Sequence, residues 1–217
     1  MAWKYVLFDL DGTLTDSGPG IIKSVRYALG ALGIEEDSEE RLRSFIGPPL
    51  YHSFMQYYGF DRAKADIAVD KYREYFAVRG MYENSLYPGI GELLAALCRE
   101  GRTLAVATSK PTVFARQIAA YFGVDRHFAF IGGSELDGSR MDKADVIAYV
   151  LHELGSPAPG DTVMVGDREH DVLGAKANGL RSVGVLYGYG KRREMEEAGA
   201  DAIVSTVGEL AEALRRM

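Results

Sequence analysis

From residue 88 onward, short apolar runs alternate with amphipathic ones, and that rhythm leaves few folds open. Pro88 and Gly89 open a predicted helix that passes through Leu93, Leu94 and Leu97 and closes at Gly101. Apolar segments at 103–108, 128–131, 162–165, 182–186 and 202–204 read as strands. Residues 111–122, 142–154, 169–179, 191–198 and 207–216 read as helices; in the second of these, Val146, Ile147, Val150, Leu151 and Leu154 share one face. Alternation of this kind predicts an α/β fold, a doubly wound parallel sheet with helices on both faces, Rossmann-like in architecture.

Residues 16–84 do not keep the rhythm. A helix is expected over 20–32, with Ile21, Ile22, Val25, Leu29 and Leu32 on one stripe. Ser38 followed by Glu39 and Glu40 marks a helix start, Pro48 leads into a helix through Leu50, Phe54 and Tyr57, and a longer helix covers 61–78. The expected organisation is therefore a core of residues 1–15 and 85–217, interrupted by a small α-helical domain at 16–84. Residues 15–17 and 83–88 serve as the linkers.

The 217 residues, 47% of them hydrophobic, suffice for a sizeable core in one or two domains. No apolar run reaches the length that spans a bilayer, and the amino-terminal residues lack the basic region, apolar stretch and cleavage site of a secretory signal. The single cysteine, Cys98, cannot form an internal disulfide and reads as core packing, so a reducing cytoplasm is expected. A formal net charge of −6 without a long basic block argues against a nucleic-acid polymer as partner. No membrane partner is expected, and monomer and homodimer both stay open.

Chemistry-bearing residues gather at predicted strand ends. The apolar strand 4–8 runs into Asp9-Leu10-Asp11-Gly12-Thr13-Leu14-Thr15, and open α/β sheets bind ligands at the carboxyl ends of their strands. Alternation puts Asp9 and Asp11 on one side. Two such acids repel unless a cation lies between them or one keeps a proton. Taken alone, the pair reads equally as a strand end turned by Gly12. Thr108, Ser109 and Lys110 follow the next strand; a hydroxyl and free N–H groups there suit a phosphoryl oxyanion, or a plain helix cap. Lys143 starts a helix after a Gly-rich loop of Gly132, Gly133, Gly138 and Ser139; there a cation opposes the macrodipole and asks for an anionic partner, unless it is a solvated surface lysine. Gly166-Asp167-Arg168-Glu169-His170-Asp171 follows strand 162–165, and acids four apart on one turn can reach a common cation or lysine.

In this order, and across the whole chain, the motifs D-L-D-G-T, T-S, K and G-D-R-E-H-D resemble the haloacid dehalogenase superfamily, and the helical insert resembles its type 1 cap. The Tyr87-Pro88-Gly89 return linker and the Ile46-Gly47-Pro48-Pro49-Leu50 loop are similar to those of phosphoglycolate-phosphatase-like members. The stretch from Gly133 to Ile147 is similar to members described as 5′-nucleotidase-like. The resemblance implies a phosphatase acting on a small-molecule phosphate monoester through an aspartyl-phosphate. It makes Asp9 the nucleophile and Asp11 the acid–base group, and has Asp9, the backbone carbonyl of Asp11, and Asp167 hold Mg2+. Thr108, the Ser109 N–H and Lys143 would bind the phosphoryl oxygens, Gly12 and Thr13 would offer N–H groups near the phosphate, and Asp171 would orient Lys143 or a metal-bound water.

Asp11 argues against a dehalogenase or a phosphonatase. A sugar-phosphate mutase is the alternative within the superfamily, disfavoured because residues 15–22 hold no histidine. From another class, a catalytically idle binding module on the same fold is the second alternative. His52, His127 and His152 are expected at the surface or in the insert, whereas His170 sits beside the proposed metal site with its role open. The insert is expected to move on its linkers as a lid, with the 45–51 loop, Tyr51 and Arg43 selecting the leaving group.

Overall fold

The computed structural model describes residues 3–216. The chain divides into two compact units: residues up to Thr15 together with those from Leu86 onward, and Asp16–Ser85 between them. The chain leaves the first unit through β2 (Thr15–Asp16) and returns through β3 (Ser85–Leu86), and these two short strands pair with each other.

The first unit is a six-stranded sheet whose order is β5-β4-β1-β6-β7-β8. Its strands are β1 (Tyr5–Phe8), β4 (Thr103–Pro111), β5 (Phe128–Ser134), β6 (Thr162–Gly166), β7 (Arg181–Val185) and β8 (Ala202–Val204), all paired in parallel. The central strand β1 has Tyr5 opposite Thr103 on one side and Thr162 on the other. The order reverses direction about β1, which makes its carboxyl end the switch point where a crevice opens.

Both faces of the sheet are covered. Helices α7 (Lys143–Glu153) and α8 (Glu169–Ala177) close one face, where Leu7, Ala105, Ala107 and Met164 pack with Val146, Ile147, Val150 and Ala175. The alternate residues Val6, Phe8, Leu104, Val106, Val163 and Val165 are equally buried, as two-sided cover requires. Helices α5 (Ile90–Arg99) and α10 (Val207–Arg216) pack against β4 and β7. Helices α6 (Thr112–Tyr121) and α9 (Arg192–Ala198) complete the unit.

Two strands run longer than the sequence predicts. β4 continues past residue 108 to Pro111, because Lys110 precedes a proline and is held extended by it. β5 continues past residue 131 through Gly132, Gly133 and Ser134. Glycines read as a loop in sequence, but here pairing with Ala107, Thr108 and Pro111 carries them as strand.

The second unit holds α1 (Gly18–Ala31), α2 (Glu39–Arg43), α3 (Leu50–Tyr58) and α4 (Arg62–Phe76). Ser38 caps α2 by accepting the Arg41 N–H, and Asp61 caps α4 by accepting the Lys64 N–H. Its interior is aromatic. Phe45 meets Phe54 edge-on at 4.9 Å between ring centres, Phe54 stacks on Phe60 at 6.0 Å, and Tyr72 stacks on Phe76 at 5.3 Å. Tyr51 lies under the Arg62 guanidinium, 4.3 Å from its ring centre, and Arg43 is exposed.

Candidate active site

Four strand ends of the first unit bring the site together. Asp9 follows β1, and its N–H donates to the Val165 carbonyl of β6 at 2.9 Å, so the chain stays in register up to the carboxylate. Lys143 opens α7 and is buried. Its Nζ lies 2.7 Å from Asp9 Oδ1 and 2.7 Å from Asp171 Oδ1, which answers the cation's awkward place at a helix start with two anions. Burial works to lower the Lys143 pKa, but Asp171 and Asp9 outweigh it and hold the ammonium above the ordinary lysine range. Asp171 also accepts the Arg168 N–H at 3.0 Å as part of the capping box that starts α8. Burial pushes its carboxyl up to about 6, even with Lys143 beside it.

Asp167 is fully buried. Its Oδ2 accepts the Tyr189 N–H at 2.8 Å, while its Oδ1 has no hydrogen-bond partner among the described residues. Burial first, then the charges of Asp171 and Asp9, push the Asp167 carboxyl well above the usual carboxylate range. Gly12 is required beside it. Its φ is +82°, and any Cβ there would collide with the Asp167 carboxylate.

The side chains of Asp9, Asp167 and Asp171 each offer an oxygen within 4.8 Å of the others. Two of these three buried carboxylates share one ammonium, and one oxygen of the third, Asp167, has no hydrogen-bond partner among the described residues. An all-oxygen, electron-rich group of this kind suits a small hard cation such as Mg2+, which uses few protein ligands. Asp9 and Asp167 are the two side chains expected to hold the cation, and Asp171 joins them; Asp11 was expected there only through its backbone carbonyl. The Asp11 carboxylate turns instead to Lys110, with Oδ2 3.0 Å from Nζ, so any part Asp11 takes in holding a cation falls to its backbone carbonyl.

Thr108 is buried, and its Oγ1 accepts the Lys110 N–H at 3.2 Å, which leaves the hydroxyl hydrogen to give. Ser109 is half-buried, and its carbonyl accepts the Ser134 hydroxyl at 2.8 Å. Gly12 and Thr13 do not present the open N–H groups expected of them. The Gly12 N–H donates to the Thr15 carbonyl at 2.8 Å, and the Thr13 N–H lies 3.3 Å from the Leu10 carbonyl. The tight turn that positions Asp11 uses its own donors. His170, His52 and His152 are exposed, and His127 is half-buried in the short helical turn before β5.

Sequence reasoning missed two contributors. Lys110 was read as part of a phosphate-binding turn rather than as the partner of Asp11; a lysine inside an otherwise apolar strand was the available signal. The second is Tyr187-Gly188-Tyr189-Gly190 after β7, which supplies the Tyr189 N–H to Asp167 and a Tyr187 hydroxyl that donates to the Thr13 carbonyl at 3.1 Å. Alternating tyrosine and glycine at a strand end was the clue.

Residues 6–185 match the family model described as haloacid dehalogenase-like hydrolase. A Pseudomonas aeruginosa protein named 5′-nucleotidase is 55% identical over 195 residues, 90% of this chain and 88% of that one. A Mycobacterium tuberculosis protein named tyrosine-protein kinase PtkA is 44% identical over 213 residues, 97% of this chain and 72% of that one. The crystal structure of a predicted phosphatase from Clostridium acetobutylicum superposes with a TM-score of 0.95 at 49% identity, covering 99% of both chains.

Proposed function

The chain belongs to the haloacid dehalogenase-like hydrolase family and is a phosphatase of it, and we propose that it is a Mg2+-dependent phosphomonoesterase that releases orthophosphate from small metabolites, nucleoside 5′-monophosphates first among them. The observation that carries the reading is the buried group of Asp9, Asp167 and Asp171, with Lys143 bridging Asp9 and Asp171 and Asp11 held apart by its own lysine.

In this reading Asp9 attacks phosphorus and forms an aspartyl-phosphate, dividing one difficult step into two. As the bond from phosphorus to the leaving oxygen breaks, its electron pair stays on that oxygen, which takes a proton from Asp11. Asp11, then a carboxylate, takes a proton from the water that attacks the aspartyl-phosphate, and orthophosphate departs with Asp9 and Asp11 restored. Acid–base help of this kind contributes roughly 10²–10⁴ in rate. Lys143 and the Thr108 hydroxyl hold the phosphoryl oxygens as charge spreads over them. Asp171 fixes Lys143, and the Tyr189 N–H fixes Asp167. Asp9 and Asp167, with the Asp11 carbonyl, would hold Mg2+, whose charge would screen the carboxylates from the incoming phosphate dianion.

The preference for nucleoside monophosphates is supported by the likeness to the Pseudomonas protein; phosphoglycolate is the competing small substrate. The test is orthophosphate release from a panel of monoesters with Mg2+ and with chelator. We expect release that needs Mg2+ and is greatest with nucleoside 5′-monophosphates. Turnover of a haloacid with no phosphate release would overturn the reading. The mycobacterial likeness favours a second reading, phosphoryl transfer to a tyrosine hydroxyl. Incubation with ATP and a tyrosine peptide separates the two, and we expect orthophosphate rather than phosphotyrosine.

A further inference from the structure

We propose that Lys110 is a positioning residue for Asp11, built into the sheet to hold one carboxylate oxygen so that the other meets the leaving group. The inference rests on the reading of Asp11 as the acid–base group. Lys110 Nζ and Asp11 Oδ2 are 3.0 Å apart, with side chains 5% and 9% exposed. The second oxygen, Oδ1, is buried and has no hydrogen-bond partner among the described residues. A carboxyl group that turns freely about its last bond exchanges its two oxygens. Pinned at Oδ2, it presents Oδ1 alone.

The strand is shaped to deliver that lysine. Between β4 and β5 the pairing jumps from Thr108 opposite Gly133 to Pro111 opposite Ser134, so Ser109 and Lys110 bulge out of register. The bulge is tied at three points. The Lys110 N–H donates to Thr108 Oγ1 at 3.2 Å, the Ser134 hydroxyl donates to the Ser109 carbonyl at 2.8 Å, and the Gly133 N–H donates to Thr112 Oγ1 at 3.0 Å. Gly133 is the residue that lets the strands approach, since a Cβ there would strike the Lys110 carbonyl. Bulges beside active sites commonly re-aim one side chain, and this one aims an ammonium at Asp11. The same Thr108 that offers its hydroxyl to phosphate thus also anchors the backbone of Lys110.

The test uses leaving groups that differ in their need for a proton. Alkoxides from adenosine monophosphate or glycerol phosphate need one; dinitrophenolate does not. With the Mg2+-loaded enzyme, kcat/KM covers only the steps through loss of the leaving group. Lys110→Met should lower kcat/KM for the two alkyl esters by about 10- to 100-fold, the usual consequence of misplacing a reacting group. The loss with dinitrophenyl phosphate should stay within about threefold, since that ester bypasses the acid. In an Asp11→Asn background, Lys110→Met should change the alkyl-to-aryl ratio no further. If Lys110→Met fails to fold by circular dichroism, Lys110→Arg carries the test, because it keeps the charge but moves the donor, and the ratio should again fall. Equal loss on all esters, or an effect that persists without Asp11, overturns the inference while leaving the phosphatase reading intact. Failure of the parent enzyme to hydrolyse any of the esters overturns both.

Discussion

The sheet unit and the helical unit handle charge in opposite ways. Among the described residues of the sheet unit, Asp9, Asp11, Arg102, Lys110, Lys143, Asp167 and Asp171 are all buried. In the helical unit the buried polar residues are Ser17, Ser24 and Ser53, and its ion pairs, such as Arg26 with Glu39 and Arg41 with Glu36, keep their cations exposed to solvent. Burying a charge costs several kcal/mol unless partners repay it, on the order of what a whole domain has to spare. A fold concentrates such groups where chemistry needs them. The helical unit instead gains its stability from rings in contact, and nothing in its interior resembles a reaction centre. The lesson is a division of labour: one unit carries reactivity at a cost in stability, and the other carries shape.

The sharpest way to break that comparison is to remove Asp9, the proposed nucleophile. Asp9→Asn should abolish turnover while the protein stays folded, and Asp11→Asn should slow it by roughly 10²–10⁴. Steady-state kinetics with an alkyl monoester such as adenosine monophosphate, beside mass spectrometry of the trapped phosphoenzyme, would check both; a phosphoryl group on any other residue would sink the assignment. Next comes Lys143→Ala. It should lower kcat by about 10²–10³. It should also destabilise the protein by about 3–5 kcal/mol, because Asp9 and Asp171 lose their buried partner. Denaturant titration measures the second effect, and near-parental values in both assays would make Lys143 an ordinary lysine.

A smaller effect sharpens the stability side. The Asp171 carboxyl sits at about 6 in the folded protein, and Asp167 is raised too. A carboxyl raised on folding binds more protons in the native state than in the unfolded one. Its contribution to stability is therefore present at low pH and is lost as pH rises from about 4 through about 6. A cation competes with those protons. Addition of Mg2+ to chelator-treated protein should therefore raise Tm more at pH 7 than at pH 5, as thermal melts would show; an equal or reversed shift would remove the acidic group as the binding site. The smallest effect belongs to the helical unit. Tyr51→Ala should cost about 0.5–1 kcal/mol, the worth of its contact with Arg62. It should change kcat/KM ratios among natural esters a few-fold and leave aryl phosphates alone. Loss of all substrates in proportion would erase the division of labour.

Legibility followed locality. Asp9 and Asp11 could be read because strand, acids and turn are consecutive, and the parallel sheet could be read because its period is written along the chain. Asp171 and Lys143 could be proposed as partners through the family resemblance, yet nothing local says that one ammonium bridges Asp171 and Asp9. Lys110 escaped because its meaning depends on a bulge made by a strand more than twenty residues away. Gly133 escaped for the same reason: in sequence it marks a loop, and only the neighbouring carbonyl shows why it is glycine. The open N–H groups expected at Gly12 and Thr13 failed because a turn this tight uses its own donors.

The position of β1 has a consequence for how the chain is made. Tyr5–Phe8 is synthesised before both of its neighbours in the sheet, which begin at Thr103 and at Thr162. The span Asp16–Ser85 can complete its own contacts before either partner emerges, and short-range helical contacts form fastest. The central strand of the sheet must therefore wait with both edges open until Thr103 emerges, and with one edge open until Thr162 does. Unpaired edges of that kind are the usual sites of wrong association. Stalled or truncated chains that end before residue 162 would carry β1 with one edge permanently bare, so this protein's dependence on chaperones should peak late in its synthesis.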